Sequence, residues 1–258
     1  MAKVFLGVGH GGSDPGAVKY LREEDVNLNM ALGCGEYLTS KGIDVQLSRT
    51  RDENDTLEEE IRECNKYNPD LAVDIHNNAG GGDGFEAYYH HLGGNSIKLA
   101  KNIEKEVKAI GQNSRGCKTK LNKYGKDYYG FIRQTKAPAV ITEGVFVDNK
   151  TDVKIVDTVE KQKAFGVAIA KGIIATLKEM GKYNESNPVE QVNELYKVKI
   201  NTKSLNVRSA PKVTRPSSKN VVTTVKKGEV YTIVEEKNGW GKLKSGVGWI
   251  KLSYTVKI

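Results

Sequence analysis

Val4-Phe5-Leu6-Gly7-Val8-Gly9-His10-Gly11-Gly12 decides how the chain is read. A short apolar run passes through glycines and stops at a histidine, the pattern of a buried strand that delivers a side chain at its carboxyl end. Working outward, Val26, Met30, Cys34, Tyr37 and Leu38 recur at three- and four-residue steps, which predicts an amphipathic helix over 25–40 that stops near Gly42. Glu23, Glu24 and Asp25 stand at its start, where the helix dipole favours carboxylates. Ile43–Leu47, Leu71–His76, Phe85–His90 and Ala139–Glu143 read as further strands. Leu57–Tyr67, Ser96–Ile110 and Val159–Met180 read as helices between them. The alternation predicts an α/β domain whose sheet is covered by helices. In such folds functional residues gather beyond the carboxyl ends of strands, and His10, His76 and Glu143 all fall there.

Beyond Gly181 the periodicity is lost and polar residues, Gly and Pro collect, which marks 181–194 as a linker between a domain over 1–180 and another over 195–258. In the last segment Tyr196–Ile200, Val221–Val225, Val230–Glu235, Gly241–Leu243 and Gly248–Lys251 are short β-prone runs separated by Lys-Gly, Asn-Gly and Ser-Gly turns, the pattern of a small all-β barrel. A length of 258 residues suits two such domains.

The net charge of +8 is unevenly placed. Residues 194–258 hold 14 Lys+Arg against 4 Asp+Glu, so the basic excess belongs to the C-terminal segment. A compact basic module suggests an anionic polymer as partner. Its basic residues are scattered among strands without a nucleic-acid motif, which favours an acidic wall polymer over nucleic acid. Cys34, Cys64 and Cys117 form no Cys-x-x-Cys pair and read as reduced thiols. No stretch approaches the ~20 apolar residues that span a bilayer, so no membrane partner is expected. The first residues lack the apolar core and cleavage site of a secretory signal.

His10 is followed by Gly11-Gly12, and Asp74-Ile75-His76-Asn77-Asn78 runs into Ala79-Gly80-Gly81-Gly82. Glycines beside a histidine let the backbone approach a bound ion. Taken singly, each is a surface loop histidine. Two histidines and one carboxylate at strand or helix ends, far apart in sequence, match a catalytic zinc site with its fourth position left for water.

At these residues the chain resembles the zinc-dependent N-acetylmuramoyl-L-alanine amidases of bacterial autolysins and phage endolysins, over about residues 3–180. His10-Gly11-Gly12-Ser13-Asp14-Pro15-Gly16-Ala17 resembles the family's opening histidine turn, although its Asp-Pro-Gly-His is here Gly7-Val8-Gly9-His10, without the aspartate. Glu23-Glu24-Asp25-Val26-Asn27-Leu28 resembles Glu-Lys-Asp-Val-Asn-Leu, whose first glutamate is a zinc ligand. For Glu24 the plain reading is a solvated charge at a helix start. Ser48-Arg49-Thr50-Arg51-Asp52 resembles the family's Thr-Arg segment, and Asp74–Asn78 its Ser-Ile-His-Ala-Asn. Pro138–Asn149 resembles the closing motif with its catalytic glutamate. The resemblance implies a twisted, mostly parallel sheet flanked by helices, one zinc ion held by His10, Glu23 and His76, and Glu143 as the catalytic proton shuttle. The substrate it implies is bacterial peptidoglycan, cut at the amide between N-acetylmuramic acid and L-alanine.

His90 and His91 follow Tyr88-Tyr89, where the family also has aromatic residues beside the cleft, and read as surface histidines rather than ligands. Arg133 is a candidate for a substrate carboxylate or oxyanion, or for a surface salt bridge. Leu205–Pro211, Val225–Glu229, Gly239–Leu243 and Gly248–Ile250 together resemble the bacterial SH3-like wall-binding module, with Trp240 and Trp249 as core anchors or as a binding platform. The expectation is a phage or prophage endolysin, made in the bacterial cytoplasm without a signal peptide and acting on the wall after release. A zinc peptidase cutting within the stem peptide and a non-catalytic wall binder are the rival readings.

Overall fold

The computed structural model describes residues 1–184, 195–214 and 216–258. Most of the expected linker, 185–194, lies outside the described residues. The chain divides into two compact units, the first taking in nearly all of residues 1–185 and the second residues 186–258.

In the first unit, strands β1 (Lys3–Val8), β2 (Asp44–Leu47), β3 (Leu71–Asn78), β4 (Phe85–Tyr89), β5 (Ser114–Lys118) and β6 (Ala139–Phe146) form one sheet in the order β2-β1-β3-β6-β4-β5. Every neighbouring pair is parallel except β4 with β6, which is antiparallel. The helices are α1 (Glu23–Ser40), α2 (Leu57–Tyr67), α3 (Asn95–Ala109), α4 (Gly130–Gln134) and α5 (Val159–Glu179). β5 and α4 are not among the elements read from the sequence, nor are the strands at Ser204–Arg208 and Thr255–Lys257 or the 3-10 turn at Asp152–Ile155. β5 is a polar edge strand of sequence SRGCK, and α4 is five residues long, too short to show a helical period.

The two-residue period of the strands sorts their side chains between the faces. Val4, Leu6, Val8, Leu71, Val73 and Ile75 enter a large core with residues of α1, α3 and α5. Phe5, Ala72, Ala139 and Ile141 enter a smaller one with Ile61 and Cys64 of α2 and Phe131 and Ile132 of α4. Gly7, Asp74, His76 and Glu143 continue this second set, and so lie on the α2–α4 face at the carboxyl ends of β1, β3 and β6.

Local signals place the helices. Thr56 and Glu59 form a reciprocal capping box at the start of α2, and the amide of left-handed Asn68 (φ 53°) closes its end onto the Cys64 carbonyl. The Thr158 side chain accepts from the Lys161 amide to begin α5. Close backbone approach brings α5 onto α1: a Cβ at Gly166 would stand 1.9 Å from the Met30 carbonyl oxygen.

The second unit is an antiparallel sheet of seven strands, β7 (Tyr196–Ile200), β8 (Ser204–Arg208), β9 (Val221–Lys226), β10 (Val230–Lys237), β11 (Trp240–Leu243), β12 (Trp249–Lys251) and β13 (Thr255–Lys257). Their order is β13-β7-β10-β11-β12-β8-β9. Val198, Ile200, Val207, Ile233, Leu243 and Ile250 form its core. Both tryptophans are buried, at 7% and 8% exposure, which favours the anchor reading. The edge of Trp240 still lines a surface cleft of about 610 Å³ with Asn206, Arg208, Lys251 and Tyr254. All three cysteines are free thiols, as expected. No described helix is long and apolar enough to cross a membrane.

Gly166→Ala is expected to destabilise the first unit by at least about 2 kcal/mol, the scale of overpacking, because the clash is with backbone rather than a movable side chain. Urea denaturation monitored by circular dichroism checks this; an unchanged midpoint would contradict the close α1–α5 approach.

Candidate active site

His10 follows β1 in a left-handed conformation, φ 64°, uncommon for a residue with a side chain and held only where its surroundings dictate it. Those surroundings are specific. Its Nδ1 meets Asp14 Oδ2 at 2.8 Å, and its Nε2 faces Glu23 Oε1 at 3.2 Å. Glu23 opens α1, where it is 4% exposed. The Ala17 amide donates to Glu23 Oε2 (2.9 Å) and the Asn77 amide to Oε1 (3.1 Å). His76, near the end of β3, brings its Nδ1 to 3.3 Å from the same Oε1, while its Nε2 lies 3.3 Å from Asp74 Oδ2. Three residues distant in sequence thus converge, with one donor atom of each within 4.8 Å of the others.

Close packing explains two glycines. A Cβ at Gly9 would lie 2.2 Å from the His76 ring, and one at Gly16 2.6 Å from Glu23 Oε2 and 2.7 Å from His10 Cδ2.

Burial alone would raise the Glu23 carboxyl, but hydrogen bonds from His10 and His76 hold it well below the usual carboxylate range. Burial works against a charged His76, yet Asp74, Glu23 and Glu143 raise it well above an ordinary histidine. Such a set, two imidazoles sharing one buried carboxylate, is short of positive charge unless the rings are protonated or a cation sits among them. Tetrahedral bonds of about 2.0–2.1 Å set donors about 3.3 Å apart. The observed 3.2 and 3.3 Å fit that spacing, and a carboxylate orients the far nitrogen of each ring.

β3 and β6 pair in parallel with His76 opposite Glu143, which sets the Glu143 carboxylate beside the cluster. No hydrogen bond among the described residues engages that carboxylate. Its antiparallel neighbour Glu86, by contrast, is bonded by Arg115 and by Lys118 (2.6 Å). Burial, reinforced by the charges of Glu23, Asp74 and Glu86 and opposed by His76, pushes the Glu143 carboxyl up to about 7. A carboxyl poised there exchanges protons near neutrality. A cleft of about 270 Å³ opens over His10 and His76, with Asp55, Glu60 and Asp74 on its walls and Tyr129 on its rim.

Several supporting residues were not singled out from sequence. Asp14 gives the His10 ring a carboxylate partner at Nδ1. A Cβ at Gly7 would meet Glu60 Oε1 at 1.9 Å and Asp74 Oδ1 at 2.8 Å, so α2 supplies a carboxylate where the aspartate is missing. Glu60 is 6% exposed, and burial together with the Asp74 charge pushes its carboxyl well above the ordinary value. Asp74 was legible in principle, since two residues along a strand share a face; nothing local marked Glu60. Arg49 is 2% exposed and donates to the carbonyls of Val8 (3.0 Å), Gly9 (3.2 Å) and Glu24 (2.9 Å), bracing β1 against the start of α1. Asn27 donates to the Gly9 carbonyl (3.0 Å) and accepts from Asn77 (2.7 Å).

One expectation is corrected. Glu24 is not a solvated charge: it is 2% exposed and bonded by Arg22, because the first turn of α1 is buried on two sides. Arg133 is exposed, and its Nη1 donates to the carbonyls of Asp127 (2.7 Å) and Tyr128 (2.8 Å).

Residues 4–175 match the family described as N-acetylmuramoyl-L-alanine amidase. The chain belongs to that family. It is 32% identical over 213 residues to the sporulation-specific N-acetylmuramoyl-L-alanine amidase of Bacillus subtilis, covering 80% of this chain and 79% of that protein. Over 179 residues it is 32% identical to the endolysin of Bacillus phage SPP1, covering 66% of this chain and 62% of the endolysin. Among solved structures, the catalytic domain of the N-acetylmuramoyl-L-alanine amidase CwlV from Bacillus (Paenibacillus) polymyxa superposes with a TM-score of 0.61 at 27% identity, covering 69% of this chain and 99% of that one. This amidase-family chain therefore carries its convergent histidines and glutamates within the matched region.

The Glu143 value has a consequence for stability. Its folded value of about 7 lies above its ordinary 4.5, so the native state holds the proton more tightly; the stability is fullest in acid and is lost as pH rises towards 7. The loss amounts to about 3 kcal/mol in the metal-free protein. Glu143→Gln is therefore expected to raise the metal-free Tm by several degrees at pH 8 and by much less at pH 5. Equal shifts at both pH values would exclude a raised Glu143.

Proposed function

We propose that the chain hydrolyses the amide joining N-acetylmuramic acid to the L-alanine of the peptidoglycan stem peptide, as a zinc-dependent amidase. The observation that carries this reading is Glu23 Oε1 between His10 Nε2 and His76 Nδ1, with Glu143 opposite His76, inside a domain of the amidase family. His10, Glu23 and His76 would hold the ion. When bound, zinc supplies a Lewis acid that polarises a carbonyl and acidifies water. Glu143 takes the proton of the attacking water and returns it to the departing alanine nitrogen. Asp14 and Asp74, each at the far nitrogen of its ring, would keep the two histidines turned towards such an ion. Tyr129 and Tyr88, with ring centroids 4.8 Å apart, form an aromatic wall beside Glu143 for the substrate.

We read the second unit as an SH3-like wall-binding module. Its antiparallel strands, its cleft beside Trp240 and its basic charge support retention on a wall carrying anionic polymers. A phage or prophage endolysin, made in the cytoplasm and acting once released to the wall, fits the similarity to the phage SPP1 endolysin.

Purified Gram-positive walls treated with the full chain are expected to release new L-alanine amino termini. Chelation should abolish the release, and Glu143→Ala should lower it by about 10²-fold or more. New D-amino-acid termini would point instead to a peptidase of the stem, and intact walls to a non-catalytic binder. The acid limb of the rate profile is expected at or below about pH 7, because a bound cation draws the Glu143 carboxyl below its metal-free value. At matched salt, the chain should bind complete walls more tightly than DNA or walls stripped of anionic polymer; equal binding to DNA would overturn the wall-polymer reading.

A further inference from the structure

A second group in the first unit repeats the composition of the first. His90, His91 and Asp127 each bring one donor atom to within 4.8 Å of the other two. Asp127 is 3% exposed, and its Oδ2 lies 2.7 Å from His91 Nδ1 and 3.2 Å from His90 Nε2. Its other oxygen accepts the His91 amide at 2.9 Å. The two rings stack at a centroid distance of 4.8 Å and 22° between planes, so adjacent residues on one loop aim at a single carboxylate oxygen.

We propose that His90, His91 and Asp127 form a second site for a divalent transition metal such as zinc, separate from the catalytic cluster. Imidazole and carboxylate suit such ions; the His90 separation of 3.2 Å matches the about 3.3 Å edge of a tetrahedral zinc site, and the His91 separation of 2.7 Å is shorter, so that ring must turn back by about 0.6 Å to admit the ion. His90 and His91 are partly exposed, and His90 lines a surface cleft of about 230 Å³. Binding requires each ring to carry its proton on the far nitrogen. For His90 that means giving up the bond its Nδ1 accepts from the Leu92 amide at 3.2 Å, which makes it the weaker of the two histidine ligands.

The site lies away from the catalytic cluster. β4 runs antiparallel to β6 with Glu86 opposite Glu143 and Tyr89 opposite Val140, so His90 and His91 emerge at the far end of β6 from Glu143. It nonetheless bears on the cleft. Asp127 belongs to the segment between β5 and α4, two residues before Tyr129, which lines the catalytic cleft and packs on Tyr88. An ion at this position ties that segment to the end of β4 and fixes the aromatic wall.

The test titrates Zn²⁺ and Co²⁺ into the full chain after chelator dialysis, following calorimetric stoichiometry and cobalt absorption. Wild type is expected to bind two equivalents, His10→Ala one, and His90→Gln/His91→Gln one. Loss of these ligands should weaken the second equivalent by more than the about 10–100-fold that outer partners contribute. His90 and His91 are partly exposed, so the double variant is expected to keep the wild-type circular dichroism spectrum. Trypsin supplies a second readout at Lys120, Lys123 and Lys126: Zn²⁺ should slow cleavage there in wild type and His10→Ala but not in the double histidine variant. If the double variant matches wild type in both stoichiometry and protection, the second site does not exist. If His10→Ala matches wild type while the double variant loses its metal, the second site stands and the catalytic ligand assignment falls.

Discussion

The first unit turns on one buried carboxylate. Glu23 Oε1 sits between the His10 and His76 rings, and two backbone amides hold its oxygens in place. Burying a charge is costly unless it is paired and hydrogen-bonded, so this oxygen constrains everything that touches it. The left-handed His10, the glycines at 9 and 16 and the buried first turn of α1 all accommodate that placement. Arg49 then braces β1 against α1 through three backbone carbonyls. The histidine turn and the start of α1 are thereby held as one piece.

Carboxylates around this centre have divided roles set by their neighbours. Asp14 and Asp74 orient rings, Glu86 is neutralised by Arg115 and Lys118, and Glu60 fills the space beside Gly7. Glu143 has no hydrogen bond and no lysine or arginine ion pair among the described residues, only the His76 ring opposite it. Its proton affinity therefore responds to the charge placed beside it, which is what proton transfer next to a metal requires.

The β5–α4 segment links the two histidine clusters. Asp127 gathers His90 and His91, Arg133 binds the carbonyls of Asp127 and Tyr128, and Tyr129 reaches the cleft. Packing at one end of the sheet is in this way connected to the cleft wall at the other.

Much of this was legible in the sequence, because it rests on local periods. The apolar run into His10, the helical spacing after Asp25 and the limits of α2 follow from side-chain periodicity and capping, which depend only on nearby residues. Family motifs pointed to His10, Glu23, His76 and Glu143 one by one. Their convergence was decided by the tertiary structure, through the register that sets His76 opposite Glu143 and the packing that buries Glu23. So were the burial of Glu24, the carboxylate that Glu60 contributes from another helix, and the meeting of His90, His91 and Asp127 across 36 residues of chain. Long-range contacts of this kind leave no periodic trace, since each depends on how strands pair and helices pack rather than on what precedes a residue in the chain.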